Sequence, residues 1–233
     1  VDENYFITPE TAVAVKTSPI WFSLGYKYML ETTVSAEKDW LSGRTKILTD
    51  TLAALHRLDG LTIGLGPSSA FFLKKSSFLD ESAPALDQHR AVDVFMEWAI
   101  GYYWHKPDVQ ANLSFRKIKS SLAAYAMKHT VQRTAFTLET FKFICDYHGF
   151  AAFVGPALSY DQLEVNDQFD KQLRPGLTFG WDIRPNRIQS WYLRTNLRYF
   201  PNMKMTAVSN STFNFDQLEF NFIQLVIFPG RLF

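Results

Sequence analysis

From residue 60 onward, hydrophobic side chains recur at every second position in runs separated by turn residues. In residues 90–104, Val92, Val94, Met96, Trp98, Ile100, Tyr102 and Trp104 share one face, and Asp93, Phe95, Glu97, Ala99 and Gly101 the other. In residues 174–184, Pro175, Leu177, Phe179, Trp181 and Ile183 oppose Arg174, Gly176, Thr178, Gly180, Asp182 and Arg184. Residues 191–200 set Trp191, Leu193, Leu197 and Tyr199 against Tyr192, Arg194, Asn196 and Arg198. A period of two is the signature of a β-strand, whose successive side chains point to opposite sides. Residues 150–160 and 20–31 alternate in the same way. The pattern predicts about ten strands, near 4–16, 20–31, 60–73, 90–104, 109–127, 134–145, 150–160, 174–184, 190–205 and 218–228. Counting only from residue 60 gives eight, the alternative.

One stretch departs from this rhythm. Residues 43–58 space Ile47, Leu48, Leu52, Leu55 and Leu58 at intervals of three and four, with Gly60 as a stop. That spacing predicts a short amphipathic helix, either closing one end of a barrel or docking on a membrane surface or partner.

The strands are long, and their second face mixes Gly, Ala and Ser with Asp, Glu and Arg. A soluble sandwich buries its apolar face and wets the polar one. A membrane barrel does the reverse, turning the apolar face to lipid and the polar, small-residue face to the lumen. The expectation is an all-β, closed antiparallel transmembrane barrel forming a single domain over residues 1–233, with a soluble lipocalin-like barrel as the non-membrane alternative. Short turns at 105–108, 146–149 and 184–189 alternate with longer connections at 74–89, around 128–133, 161–173 and 206–217. Barrels of this kind keep short turns on the periplasmic side, which also places 32–59 there.

Composition narrows the picture. The chain has 233 residues, 47% hydrophobic, 16% aromatic and 20% charged, with a formal net charge of +1. This excludes global disorder and gives no basic surplus for nucleic acid. The single cysteine, Cys145, excludes an internal disulfide and a multi-cysteine metal site. No apolar run approaches the roughly 18 residues of a membrane helix. Val1 is not an initiator, and residues 1–6 carry no signal region, so a processed or trimmed chain is expected.

The chain closes Leu218-Glu-Phe-Asn-Phe-Ile-Gln-Leu-Val-Ile-Phe-Pro-Gly-Arg-Leu-Phe233, a strand of alternating aromatics with a C-terminal Phe. Phe150-Ala-Ala-Phe-Val-Gly-Pro-Ala-Leu-Ser-Tyr160 adds an aromatic and glycine pattern. Together these resemble the small outer-membrane β-barrel proteins of Gram-negative bacteria, mainly over residues 60–233. The resemblance implies an outer-membrane location among lipid and lipopolysaccharide. It also implies recognition of Phe233 by the barrel-assembly machinery and association with other outer-membrane proteins. Pro229-Gly230 interrupts the final strand, a departure from the pattern.

The candidate chemistry is a set of charges on the lumen face: Lys27, Asp93, Glu97, Arg116, Glu139, Arg174, Asp182, Arg184, Arg194, Arg198 and Glu219. In a narrow barrel such charges must pair. Either they form a polar plug that fixes register or they line an ion or ligand path. Trp21, Trp98, Trp104, Trp181, Trp191 and Tyr199 are candidates for an aromatic girdle at the membrane interface. Carbohydrate stacking and ordinary packing are the rival readings. The five histidines show no metal-ligand spacing, no Gly-rich phosphate loop is present, and no cofactor is implied. An enzyme reading would rest on Ser68, Ser69, Ser76, Ser77 and His89, by location only. The functional expectation is therefore a non-enzymatic barrel with a plugged lumen, structural or accessory to an outer-membrane assembly. A small pore or hydrophobic-solute channel and a lipid-modifying enzyme such as a lipid A deacylase are the alternatives.

Overall fold

The computed structural model describes residues 2–8, 11–16, 43–73, 94–124, 127–147, 149–165, 168–184, 190–206 and 212–232. The chain divides into two compact units, Val1–Ala36 and Glu37–Phe233. The first contains β1 (Asp2–Thr8) and β2 (Thr11–Lys16), an antiparallel hairpin running from Asp2↔Lys16 to Thr8↔Thr11. The second contains one helix, α1 (Gly43–Ala54), and eight strands. These are β3 (Gly60–Phe72), β4 (Phe95–Trp104), β5 (Val109–Ala124), β6 (Met127–Tyr147), β7 (Phe150–Val165), β8 (Gln168–Ile183), β9 (Trp191–Thr206) and β10 (Thr212–Ile227). Each strand pairs with its chain neighbours, all antiparallel, and β10 returns to pair with β3, closing the barrel.

The strand count in the wall is eight, so the expectation of ten gives way to the alternative. Residues 4–16, expected as one strand, form a hairpin that pairs with itself, and β3 meets β10 directly. Residues 20–31 lie outside the described residues.

The wall is apolar outside and polar inside. Met96, Trp98, Ile100, Tyr102 and Trp104 face outward on β4, while Glu97 and Ala99 between them are buried. On β8, Leu177 is 62% exposed and the adjacent Thr178 is 0% exposed. Leu61, Ile63, Leu113, Phe115, Phe136, Leu138, Val154 and Leu158 extend the apolar surface around the wall. In water this arrangement would expose large apolar patches and bury charge, both unfavourable. It is the arrangement of a barrel built to sit in a bilayer.

Four strands run further than the hydrophobic alternation indicated: β10 begins at Thr212, inside the expected connection 206–217, and three others extend likewise. Residues 128–133 and 161–165 with 168–173, expected as connections, are strand. There the outward face carries Lys117, Lys119, Gln132, Thr134, Gln162 and Glu164, and Gln132 Nε2 donates to Glu164 Oε2 at 2.9 Å. Backbone pairing continues where the outer surface turns polar, so the apolar period that marks a strand in the sequence stops early.

The connections after β4, β6 and β8 lie at one end, the turn end, but length does not set that end apart, because only two residues separate β5 from β6 and β7 from β8 at the other; the expected assignment of sides from loop length therefore loses its basis. Asp108 (φ 51°) and Gly149 (φ 83°) take the left-handed conformation that tight hairpin turns demand. The chain entering β3 lies at this end too, because Asp59 Oδ1 accepts from the backbone N–H of His105 at 2.5 Å. Helix α1 ends at Ala54, earlier than the expected residue 58, and His56 (φ 54°) breaks the helical path. Its expected apolar stripe is not buried as a unit. Leu58 is enclosed, but Ile47 and Leu55 are 68% and 63% exposed, because Leu58 belongs to the turn beyond the helix. Arg231, in the 3-10 turn Pro229–Arg231 after β10, donates from Nη2 to the carbonyl of Leu58.

Strand β10 shifts register between Asn221 and Gln224 against β9, and between Asn221 and Leu225 against β3. This is where the alternation of faces slips in the sequence: Phe220 and Phe222 face outward before it, Leu225 and Ile227 after it. An extra residue in one strand produces such an exchange. On β3, the facing residues are Gly66 and Pro67. Pro67 has no N–H to offer, so this seam has a local gap in its ladder. Gly66 is required by proximity: a Cβ there would lie 2.6 Å from Gln224 Cα.

Two outcomes are expected. Gly66→Val blocks the β3–β10 seam, and purified protein loses the heat-modifiable shift in gel mobility that marks a closed barrel. Gly60→Ala, whose Cβ would sit 3.7 Å from Phe228 Cδ1, keeps the shift. Leu177→Arg places a charge on the lipid face and costs about 2–4 kcal/mol of unfolding free energy in lipid vesicles if it lies near the midplane. Wild-type stability of that variant would show that the outer face does not meet hydrocarbon.

Candidate functional site

The interior alternates with the apolar exterior strand by strand, so the residues that fill it come from all eight strands. Among the described residues, six arginines and five carboxylates are buried. They are Arg116, Arg133, Arg174, Arg184, Arg194 and Arg198 with Glu97, Glu139, Asp161, Asp182 and Glu219.

Arg198 on β9 is the central clamp. It grips Glu97 of β4 through Nη1–Oε2 at 2.7 Å and Nη2–Oε1 at 2.5 Å. On its other side it holds Glu139 of β6 through Nε–Oε1 at 2.6 Å and Nη2–Oε2 at 3.0 Å. Ser68 donates to Glu97 Oε2 at 3.0 Å. Away from the turns, Arg133 of β6 joins Asp161 of β7 (Nε–Oδ1, 2.8 Å), Gln217 (Nη1–Oε1, 2.8 Å) and Glu219 of β10. Arg174 also pairs with Asp161, and Arg116 Nε lies 3.0 Å from Glu219 Oε2. Toward the turns, Arg194 and Asp182 are directly opposite on β9 and β8 and form a bidentate pair, Nε–Oδ1 at 2.7 Å and Nη2–Oδ2 at 2.9 Å. Arg194 Nη2 also donates to Gln110 Oε1 at 2.9 Å, and Tyr192 donates to the same oxygen at 3.1 Å.

Apolar layers close this network at both ends. At the turn end Tyr103, Phe141, Phe143, Ala151, Phe153, Tyr192, Val226 and Phe228 form one cluster. Phe141 and Phe153 stack at 4.3 Å, and the Arg194 guanidinium lies over both rings, at 4.6 and 5.0 Å. At the far end Ala70, Phe72, Ile118, Val131, Leu163 and Val165 form the other, with Phe95 packed against it. Excluding water in this way strengthens each ion pair and raises the cost of breaking one.

Nine of the lumen charges expected from the sequence are among the buried set; Lys27 and Asp93 lie outside the described residues. Arg133 and Asp161 were missed because 128–133 and 161–173 read as connections. Arg133 shares the inward face with Val131 and Ala135, and Asp161 with Leu163 and Val165, so there the inner face is partly apolar and the outer face polar, the reverse of the pattern that marks the wall. Of the aromatics, Trp104, Trp181 and Trp191 sit at the turn end, next to the strand termini. Trp98 is mid-strand between Leu65 and Phe115, and Tyr199 faces Leu177. Trp21 and Phe233 lie outside the described residues.

Ser68 and Ser69 are buried, 1% and 4% exposed; Ser76, Ser77 and His89 lie outside the described residues. Among the described residues no group of three His, Cys, Asp or Glu could hold a metal. A cleft of about 340 Å³ opens at the turn end, lined by Leu52, Arg57, Leu58, Asp59, Gly60, Leu61, Phe228, Gly230 and Arg231. Burial would raise the Asp59 carboxyl, but the His105 amide and the His56 ring hold it below the usual carboxylate range.

No protein-family profile and no curated protein matches the chain. Among solved structures, Neisserial surface protein A aligns at 13% identity over 72% of this chain and 96% of its own, with a TM-score of 0.46. Ail, the attachment invasion locus protein of Yersinia pestis, aligns at 10% identity in its complex with the heparin analogue sucrose octasulfate. That match covers 73% of this chain and 96% of Ail, with a TM-score of 0.36. A further Ail structure aligns at 12% identity, over 71% and 98%, with a TM-score of 0.34.

The clamp gives a sharp test. Arg198→Met strands Glu97 and Glu139 and should cost about 3–5 kcal/mol in equilibrium unfolding. Adding Glu97→Gln and Glu139→Gln should restore most of that loss, since no buried charge is then left without its partner. A triple variant no more stable than the single would show that the pairs are not coupled.

Proposed function

We propose that the protein is a non-enzymatic outer-membrane β-barrel whose lumen is sealed by its own side chains. It would act as a structural or accessory component of an outer-membrane assembly. The observation that carries this reading is the filled interior, with its paired charges between two apolar layers. A conducting path would need a continuous hydrated gap. Here Arg198 spans from β4 to β6, and Arg133 reaches β7 and β10. The apolar outer wall supports a bilayer location, and closed antiparallel barrels of this size and polarity are the outer-membrane architecture. Insertion would then pass through the barrel-assembly machinery, with lipid and lipopolysaccharide around the wall. With the lumen filled, recognition falls to the two ends.

Reconstitution into planar bilayers tests this. The expected trace shows no conductance steps above the bare membrane at moderate voltage. Stable ohmic steps, with selectivity altered by Arg194→Ala, would overturn the sealed reading in favour of a pore.

A further inference from the structure

Four neighbouring strands change character at one level of the outer wall. Their register sets Phe115, Phe136, Tyr160 and Leu173 side by side on β5, β6, β7 and β8. All four are exposed, and the rings of Phe115 and Phe136 meet at 5.0 Å between centres. One outward position further from the turn end, the row reads Lys117, Thr134, Gln162 and Lys171. Every one of the four strands steps from an aromatic or aliphatic side chain to a polar one. Hydrocarbon therefore ends between the two rows and headgroups begin.

The polar row contains no acid. Lys117 and Lys171 stand exposed at its two ends, and neither ion-pairs with another described residue. The hydroxyl of Thr134 and the amide of Gln162 lie between them. Neighbouring strands are about 4.8 Å apart, so the two lysine backbones are separated by roughly 14 Å. Lysine stems lie along apolar surface and carry the charge beyond it, so both ammoniums can lean over the middle of the row. The nearest outward acid among the described residues, Glu164, lies one row further out. It accepts from Gln132 at 2.9 Å and shares that row with Lys119. The boundary at the turn end is built differently. Trp104, Trp181 and Trp191 stand there, and Lys142 donates to the carbonyl of Pro107.

We propose that the row of Lys117, Thr134, Gln162 and Lys171 binds the phosphate of an anionic membrane lipid, whose acyl chain lies on Phe115, Phe136 and Tyr160. This deepens the outer-membrane reading above and rests on it. Two ammoniums flank the phosphate oxygens, and the hydroxyl and amide donate between them. The aromatic row takes the chain, so the site asks for phosphate and hydrocarbon in one molecule. A free anion would meet the charge without the apolar contact.

The test folds the intact protein into phosphatidylcholine vesicles, extracts it in mild detergent with increasing phosphatidic acid, and counts retained lipid by native mass spectrometry. Phosphatidic acid should be retained at concentrations about tenfold lower than phosphatidylcholine of the same chain length. Lys117→Gln combined with Lys171→Gln should remove that preference. Lys106→Gln, an exposed lysine in a turn-end connection, should keep it. The heat-modifiable gel shift shows that each variant has closed; should the double variant not close, the wild-type comparison of the two lipids decides alone. Equal retention of both lipids by the wild type overturns the proposal, as does an unchanged preference in the closed double variant. Displacement of the lipid by an equal concentration of inorganic phosphate overturns it too, because the site would then take a free anion. Failure of the wild type to fold into vesicles at all overturns the outer-membrane reading and this proposal with it, an outcome distinct from normal folding without lipid preference.

Discussion

Charge enclosed by an apolar wall is stable only when paired, and that constraint organises this barrel. The partners are far apart in the chain. Arg198 and Glu97 are separated by 101 residues, Arg133 and Glu219 by 86. These pairs exist only when the wall has closed in the correct register, because a one-residue slip of any strand would turn its charges outward. Closure needs the pairs in turn. In hydrocarbon the outer face gains nothing from burial against protein, so specific order has to come from inside. The wall and the network therefore form together or not at all.

The choice of cation follows from the same constraint. All six buried cations among the described residues are arginines. A guanidinium offers five donors in a rigid plane and can serve two carboxylates at once while its face rests on a ring. Arg198 does the first, between Glu97 and Glu139, and Arg194 does the second, over Phe141 and Phe153. A lysine at either position could hold one partner and would leave the others unmatched. The aromatic layer at the turn end thus serves as a seal and as a support for the ion pair beside it.

The sequence made the wall legible because period two survives wherever one face meets lipid. Trp98 beside Glu97 and Leu177 beside Thr178 declare their faces without any knowledge of partners. The Asp182–Arg194 pair was also within reach, since a short turn joins their strands and fixes which residues lie opposite. The Arg133–Glu219 and Arg198–Glu97 pairs were not, because they cross the lumen and depend on closure. Polar strand ends misled the reading for a different reason. At Gln132, Thr134, Gln162 and Glu164 the outer surface is no longer apolar, so a strand that continues in space looks like a loop in one dimension. Helix α1 shows the opposite error. Its spacing of leucines is helical, yet the backbone leaves the helix before Leu58 and the stripe never becomes one surface.

A sealed lumen and an apolar flank leave little chemically specific surface, and what there is lies at the two ends. The far end raises strands above the apolar band and presents Lys117 and Lys119 beside Gln132 and Glu164. The turn end gathers Arg57, Asp59 and Arg231 around a cleft and ties the chain before β3 to the chain after β10 through Leu58 and Arg231. That tie sits directly at the β3–β10 seam, whose ladder is interrupted opposite Gly66 and Pro67. The tie closes the turn end of that seam, beyond the paired stretch Ile63–Leu65 with Leu225–Ile227. The cleft and the end of the seam share Leu58, Phe228 and Arg231, so the same side chains shape the surface there and close the wall.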